Sequence, residues 1–316
     1  MSYKVLITED IDDEGKEYLR KFGYEIKLAS DISEKNLIEE VKDCDAILVR
    51  MANITEKIIR SGNKLKVISK FGVGTDNINL EAATKHGIQV TNSKESNKNS
   101  VAEYTIGLII ALSKQFFLYD KEIRKGNFQI RNRLGMDVEG KTLGIIGAGA
   151  IGELVAKKAV YGFGMKIIEY KRNLNLEINS ENIKYTDDLD YVLKASDFVS
   201  LHVPLTSATK YMIGKRELEL MKKEAFLINT ARGEVVDTEA LASVLKENKI
   251  AGAAVDVFEG EIPSKDNPLL GLENVILTPH TAAHTKEAFI RMSVHPAIGI
   301  HEVLSKKKPS WPVNEI

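Results

Sequence analysis

The feature that most constrains this chain is a glycine run in one defined setting. The apolar segment Thr142-Leu143-Gly144-Ile145-Ile146 leads into Gly147-Ala148-Gly149-Ala150-Ile151-Gly152, and a helical pattern from Glu153 to Val160 follows. G-x-G-x-x-G between a strand and a helix is the turn that opens a dinucleotide-binding β-α-β unit. The first glycine permits the tight turn. The second lets backbone approach a pyrophosphate, and the third lets helix pack closely on strand. Amides at the helix N-terminus then face the phosphates with a favourable dipole.

Such a unit needs a parallel sheet around it, and the rest of the chain has that pattern. Short apolar runs alternate with helical ones, which predicts an α/β fold. Val5-Leu6-Ile7, Ala46 to Val49, Val67 to Ser69 and Ile88 to Val90 read as strands of a first series. Glu34 to Val41 and Leu80 to Lys85 read as helices between them. A second series takes in Thr142 to Ile146, Lys166 to Tyr170, Phe198 to Leu201, Ala225 to Asn229, Gly252 to Val257 and Val275 to Leu277. Two units suit 316 residues, because domains usually run ~100–200 residues. The polar stretch Asn92 to Asn99 marks a join, and Ser100 with Glu103 is expected to cap a long apolar helix.

Composition narrows the function classes. Lys+Arg number 44 and Asp+Glu 45, a net charge of −1, so a nucleic-acid partner is not expected. The apolar stretch Ile106 to Leu112 is far short of the ~20 residues that span a bilayer, so no membrane partner is expected either. The single cysteine, Cys44, forms no internal disulfide, and Met1 to Ile7 has no long apolar leader. Together these predict a cytoplasmic location. No His/Cys/Asp spacing resembles a metal site, and G-x-S-x-G is absent.

The end of the second strand of the nucleotide unit leaves two cofactor readings open. Glu169 lies 22 residues after Gly147, near the spacing of an acid that accepts from a ribose 2′-hydroxyl and favours NAD. Lys171 and Arg172 follow it, and cations there attract a 2′-phosphate and favour NADP.

Three later segments carry charged residues at the ends of β-like runs: Asn229-Thr230-Ala231-Arg232-Gly233, Ala254-Val255-Asp256-Val257-Phe258-Glu259-Gly260-Glu261, and Leu277-Thr278-Pro279-His280-Thr281-Ala282-Ala283. Ligands of open parallel sheets bind just outside the carboxyl ends of the strands. An arginine, an acid and a histidine placed there can converge on one substrate.

With these segments, and with Lys4-Val5-Leu6-Ile7, Leu48-Val49-Arg50, Phe71-Gly72-Val73-Gly74-Thr75-Asp76-Asn77 and Gly140-Lys141-Thr142-Leu143-Gly144, the chain resembles the D-isomer-specific 2-hydroxyacid dehydrogenases. Within them it is most similar to the short 3-phosphoglycerate dehydrogenase branch that lacks a regulatory domain. The resemblance implies two Rossmann-like domains, one flavodoxin-like and one dinucleotide-binding, with parallel sheets and an interdomain cleft. Residues 1–98 and 285–316 would form a discontinuous substrate-binding domain, and 99–284 the dinucleotide-binding domain. It implies hydride transfer between NAD(H) or NADP(H) and a small anionic 2-hydroxy or 2-oxo acid. His280 would be the acid-base residue, Glu261 its partner, and Arg232 the ligand of substrate carboxylate and carbonyl. Gly147, Gly149, Ala150, Ile151, Gly152, Lys171, Arg172, Val203, Thr230, Ala231, Asp256 and Ala282 would bind the cofactor. Arg50, Lys70, Gly72, Val73 and Gly74 would bind the substrate, with Arg131 and Arg133 as further cations. Ser100 to Glu139 is where relatives commonly form a homodimer. Hydroxypyruvate or glyoxylate reduction is the alternative activity, and a dinucleotide-sensing, non-catalytic corepressor the alternative class.

Overall fold

A computed structural model describes residues 2–172, 182–260 and 262–316. The chain divides into two compact units, one formed by Met1–Asn97 with His284–Ile316, the other by Lys98–Ala283. The sequence reading set these junctions one residue later.

In the first unit, chain order runs β1 (Lys4–Ile7), α1 (Asp13–Lys21), β2 (Glu25–Leu28), α2 (Glu34–Glu40), β3 (Ala46–Val49), α3 (Glu56–Ser61), β4 (Val67–Lys70), α4 (Leu80–Lys85) and β5 (Gln89–Thr91). The five strands form one parallel sheet in the order β2-β1-β3-β4-β5, the flavodoxin-like arrangement. The second unit adds α5 (Lys98–Ser113), α6 (Phe116–Arg124), β6 (Thr142–Ile146), α7 (Ala150–Phe163), β7 (Lys166–Tyr170), β8 (Ile183–Thr186), α8 (Leu189–Ala195) and β9 (Phe198–Leu201). It continues with α9 (Lys215–Leu220), β10 (Phe226–Asn229), α10 (Thr238–Lys246), β11 (Gly252–Val255) and β12 (Val275–Leu277). Its sheet, β12-β11-β10-β9-β6-β7-β8, is parallel throughout. That is the doubly wound dinucleotide-binding order with one further strand. The chain then returns to the first unit as α11 (Lys286–Leu304).

Each sheet is covered on both faces, and the central strands read as near-continuous apolar runs for that reason. In the first unit Leu6, Ile47, Val49 and Ile68 pack on one face, and Val5, Ile7, Leu48 and Val67 on the other with Ala297, Ile300 and Leu304 of α11. In the second, Ile146, Leu201 and Leu227 face one layer, and Leu143, Ile145, Phe198 and Ile228 the other with α5 and α7. Asp12, Ser33, Asn79, Asp188, Asp237 and Thr285 cap their helices by accepting a backbone N–H of the first turn.

One expectation changes. Ser100 is not a cap: α5 starts at Lys98, so Ser100 lies inside its first turn and is buried. Glu103 accepts from the Asn99 side chain instead. The polar run that marks the join is anchored in the fold. Ser93 and Ser96 are fully buried. Ser93 Oγ donates to the Lys70 carbonyl, Ser96 Oγ to the Ser93 carbonyl, and Arg291 Nε to the Ser96 carbonyl.

Candidate active site

The glycine turn follows β6 and opens α7, and its three glycines have separate reasons. Gly147 adopts φ +108°. A Cβ on it would lie 2.6 Å from the His202 backbone, where the tips of β6 and β9 lie side by side. A Cβ on Gly152 would overlap the Gly147 carbonyl oxygen. A Cβ on Gly149 meets nothing within 4 Å, and Gly149 gives α7 no side-chain cap. Open space beside uncapped N–H groups is the cradle a pyrophosphate needs, so these residues fit a dinucleotide. Ala150 and Ile151 begin the helix and are partly exposed.

At the end of β7, Glu169 sits inside the strand, 1% exposed. Its Oε2 has no partner among the described residues, and burial pushes its pKa up. Lys171 and Arg172 come just past the strand end. The Lys171 ammonium lies 4.3 Å from the Tyr185 ring centre, and Arg172 is exposed. The cations, not the acid, occupy the tip.

At the tip of β10 the Asn229 side chain shapes the turn. Its Oδ1 accepts from Ala231 N at 3.0 Å, and its Nδ2 donates to the Arg232 carbonyl at 2.9 Å. This Asx-type turn presents Thr230, Ala231 and Arg232 at the sheet edge. Thr230 Oγ1 meets Thr105 Oγ1 of α5 at 3.3 Å. Arg232 Nη1 donates to the Ala231 carbonyl.

Asp256, past the end of β11, is fully buried and organises the histidine segment. Its carbonyl accepts from His280 N at 2.7 Å. Its Oδ1 accepts from Thr278 Oγ1 at 2.6 Å and Thr281 N at 2.9 Å, and its Oδ2 from Ala282 N at 2.9 Å. Held this way, His280 takes the left-handed conformation at φ +54°, which a residue with a Cβ adopts only when its surroundings impose it. Tyr104 OH of α5 reaches Thr281 Oγ1 at 3.3 Å. Arg232, Asp256 and His280 thus stand at neighbouring strand tips on one sheet edge. Glu261 lies outside the described residues.

Sequence reasoning passed over His202, beside Val203 at the β9 tip. Its Nε2 meets Ser200 Oγ at 2.9 Å. Packing lowers its pKa to about 4, although part of its surface still meets solvent. The available signal was its place at the end of the apolar run Phe198 to Leu201. Tyr104 and Thr105 were missed because they sit inside an apolar helix.

In the first unit, Arg50, Lys70 and Gly72 to Gly74 all lie at the carboxyl ends of β3 and β4. Arg50 Nη1 donates to the Asp10 carbonyl at 2.7 Å, and its guanidinium lies over the rings of Phe71 and Phe289. Lys70 Nζ donates to the Arg50 carbonyl and to Asn77 Oδ1. The N–H groups of Gly72, Val73 and Gly74 donate to nothing among the described residues. Gly72 has φ +106° and open space where a Cβ would point.

Comparison with known proteins agrees with this geometry. The family model for the NAD binding domain of D-isomer specific 2-hydroxyacid dehydrogenases matches residues 106–282. The D-3-phosphoglycerate dehydrogenase of Methanocaldococcus jannaschii is 42% identical over 287 residues, covering 90% of this chain and 54% of that protein. The chain therefore spans about half the length of that relative. The glyoxylate reductase of Thermococcus litoralis is 43% identical over 91% of this chain and 89% of its own length. Among solved structures, a D-lactate dehydrogenase from Aquifex aeolicus complexed with NAD and lactic acid matches with a TM-score of 0.85 and 33% identity, covering 96% of each chain. Fold, site and relatives agree, and the chain belongs to the D-isomer specific 2-hydroxyacid dehydrogenase family.

Proposed function

We propose that this protein interconverts a D-2-hydroxy acid and the matching 2-oxo acid, using a nicotinamide dinucleotide. The observation that carries the reading is the Asp256 anchor. A buried carboxylate spent on one short segment fixes His280 in a strained conformation, on the same sheet edge as Arg232 and the glycine turn. Bound at Gly147 to Gly152, the dinucleotide supplies hydride chemistry. The chain's own residues bind, orient and move a proton. The free amides of Gly72 to Gly74 suit a carboxylate. The planar fork of Arg232 suits the carboxylate and carbonyl together. His280 gives its proton to the carbonyl oxygen during reduction and takes it back in the reverse direction. Glu261 is assigned as the partner that keeps His280 in the useful tautomer.

Lys171 and Arg172 at the β7 tip, with Glu169 buried behind them, support preference for the 2′-phosphorylated cofactor. A homodimer is also part of the reading. Phe116, Phe117, Phe128 and Leu134 are 54%, 59%, 69% and 84% exposed. They lie along the segment that follows α5, and Phe116 and Phe117 also line an open groove of about 600 Å³ with Tyr104, Leu108 and Ala111. Exposed apolar side chains beside an apolar groove are the kind of surface that marks a contact site.

The test follows nicotinamide absorbance while purified protein meets glyoxylate, hydroxypyruvate or 3-phosphohydroxypyruvate, with NADH and NADPH in parallel. Turnover, faster with NADPH, is expected. Binding of the dinucleotide without turnover of any 2-oxo acid would leave the non-catalytic sensor reading instead. In His280→Ala, turnover should fall by about 10²–10⁴-fold while dinucleotide affinity stays nearly intact. Unchanged turnover refutes the acid-base role.

A further inference from the structure

The order of the first unit's sheet reverses between β1 and β3. In open α/β sheets the crevice outside the strand ends at that point is where ligands are held. Here the chain fills it with its own carboxylate. Glu9, just past β1, accepts from Met51 N at 2.6 Å and Ala52 N at 3.1 Å through Oε1. Its Oε2 accepts from the Thr8 hydroxyl and from Arg50 N at 3.3 Å, an amide it shares with Thr8 Oγ1 at 3.2 Å. Three successive N–H groups form an anion nest, and Glu9 occupies it.

The adjoining strand, β4, leads into Gly72 to Gly74, whose amides the proposed function gives to the substrate carboxylate. The β5 side of that loop is tied down: Ser93 N donates to the Gly72 carbonyl, and Asn92 Nδ2 to the Val73 carbonyl. A bound acid that extends from these amides toward β3, one strand spacing of about 4.8 Å away, would meet residues 50–52 and Glu9. Among the described residues the two cations there are engaged within the fold. Arg50 gives Nη1 to the Asp10 carbonyl and lies over two aromatic rings. Lys70 holds the loop together through the Arg50 carbonyl and Asn77. Met51 is 54% exposed, an apolar thioether at the rim.

We propose that Glu9 is a specificity-determining residue: it takes the three amides a second anionic group would need and repels that group, so the substrate is a short 2-oxo acid with one charge. This rests on the proposed function and narrows it from 2-oxo acids in general to those that carry no second charge.

Hydroxypyruvate and 3-phosphohydroxypyruvate differ only by the phosphate, so their ratio of kcat/KM isolates the effect. Wild type should favour hydroxypyruvate by about tenfold or more, since like charges placed together disfavour binding strongly. Glu9→Gln, which keeps an acceptor and loses the charge, should narrow that ratio by about tenfold, mainly through a lower KM for the phosphorylated acid. Glu9→Asp, which keeps the charge, should stay near the wild-type ratio. A loop that is merely loosened lowers kcat/KM for both acids and leaves their ratio alone. The proposal is overturned if wild type prefers the phosphorylated acid, or if Glu9→Gln leaves the ratio unchanged. Wild type that binds dinucleotide but reduces neither acid, nor glyoxylate, removes the proposed function itself, a result distinct from either.

Discussion

At the scale of single residues, Asp256 and His202 are two ways of burying a polar side chain beside the glycine turn and the histidine segment. Asp256 is fully buried, and a buried carboxylate is tolerated only with its hydrogen bonds complete. Thr278, Thr281 and Ala282 complete them. Asp256→Asn puts an NH₂ group against a backbone N–H on one side. Stability should drop by about 1–3 kcal/mol, since a buried donor is left unmet. With the His280 segment released, kcat should fall more than tenfold, a loss of alignment. Thermal unfolding and steady-state rates check this, and kcat within twofold of wild type would show that the segment keeps its shape unaided. His202 is a group kept neutral by its packing. Its pKa falls from 6.5 to about 4. Below pH 6.5 the unfolded chain takes up a proton that the folded chain refuses until pH 4. Stability from this group is therefore complete above pH 6.5 and lost as the pH drops through that window, by about 3 kcal/mol in all. Glu169, raised by burial, pulls the other way. Urea unfolding of wild type against His202→Asn between pH 7 and 4 separates them: the variant should show the shallower decline, and parallel curves would sink the assignment.

At the scale of elements, the glycine turn shows what strand, turn and helix each demand. A methyl group at Gly152 must displace the Gly147 carbonyl. Gly152→Ala should thus destabilise the fold by about 1–3 kcal/mol. Gly149 has room, and its φ of −96° suits any residue. Gly149→Ala should fold as wild type yet bind dinucleotide weakly, because its methyl points where the phosphates approach. Equal unfolding midpoints for the two variants would contradict this. The turn, its flanking elements and the central strands were legible because burial on both faces forces apolar runs. The edge strands β2 and β8 were not. Glu25-Ile26-Lys27-Leu28 and Ile183-Lys184-Tyr185-Thr186 face solvent and are short and mixed, so no apolar run announces them. Ser100 misled for a related reason: three-residue spacing to Glu103 fits a cap, but the helix begins two residues earlier. Arg232, Asp256 and His280 were legible as residues. The role of Asp256 as an anchor was not, since it depends on amides more than twenty positions away. Nor was the closure of the β1 tip by Glu9, whose partners come from the end of β3.

At the scale of the whole molecule, the surface after α5 needs an explanation that one chain does not provide. Phe116, Phe117, Ile123, Phe128 and Leu134 fall within nineteen residues and are all exposed. Scattered apolar residues on a surface are ordinary, but several together beside an apolar groove are a liability unless covered. The groove includes Thr278, which donates to Asp256, and Tyr104, which meets Thr281. A second copy seated there would therefore press on the elements that hold His280. Sedimentation equilibrium should give twice the 35.1 kDa of one chain. Phe117→Glu with Phe128→Glu should give the single-chain mass, because each charge would have to be buried at the contact without a partner. The double variant should keep its far-ultraviolet circular dichroism, since both side chains are exposed, and lose turnover as it dissociates. A wild-type chain that sediments at 35.1 kDa at every concentration would leave the patch without this partner. A dissociated variant with full turnover would show instead that the groove and the histidine segment are not coupled.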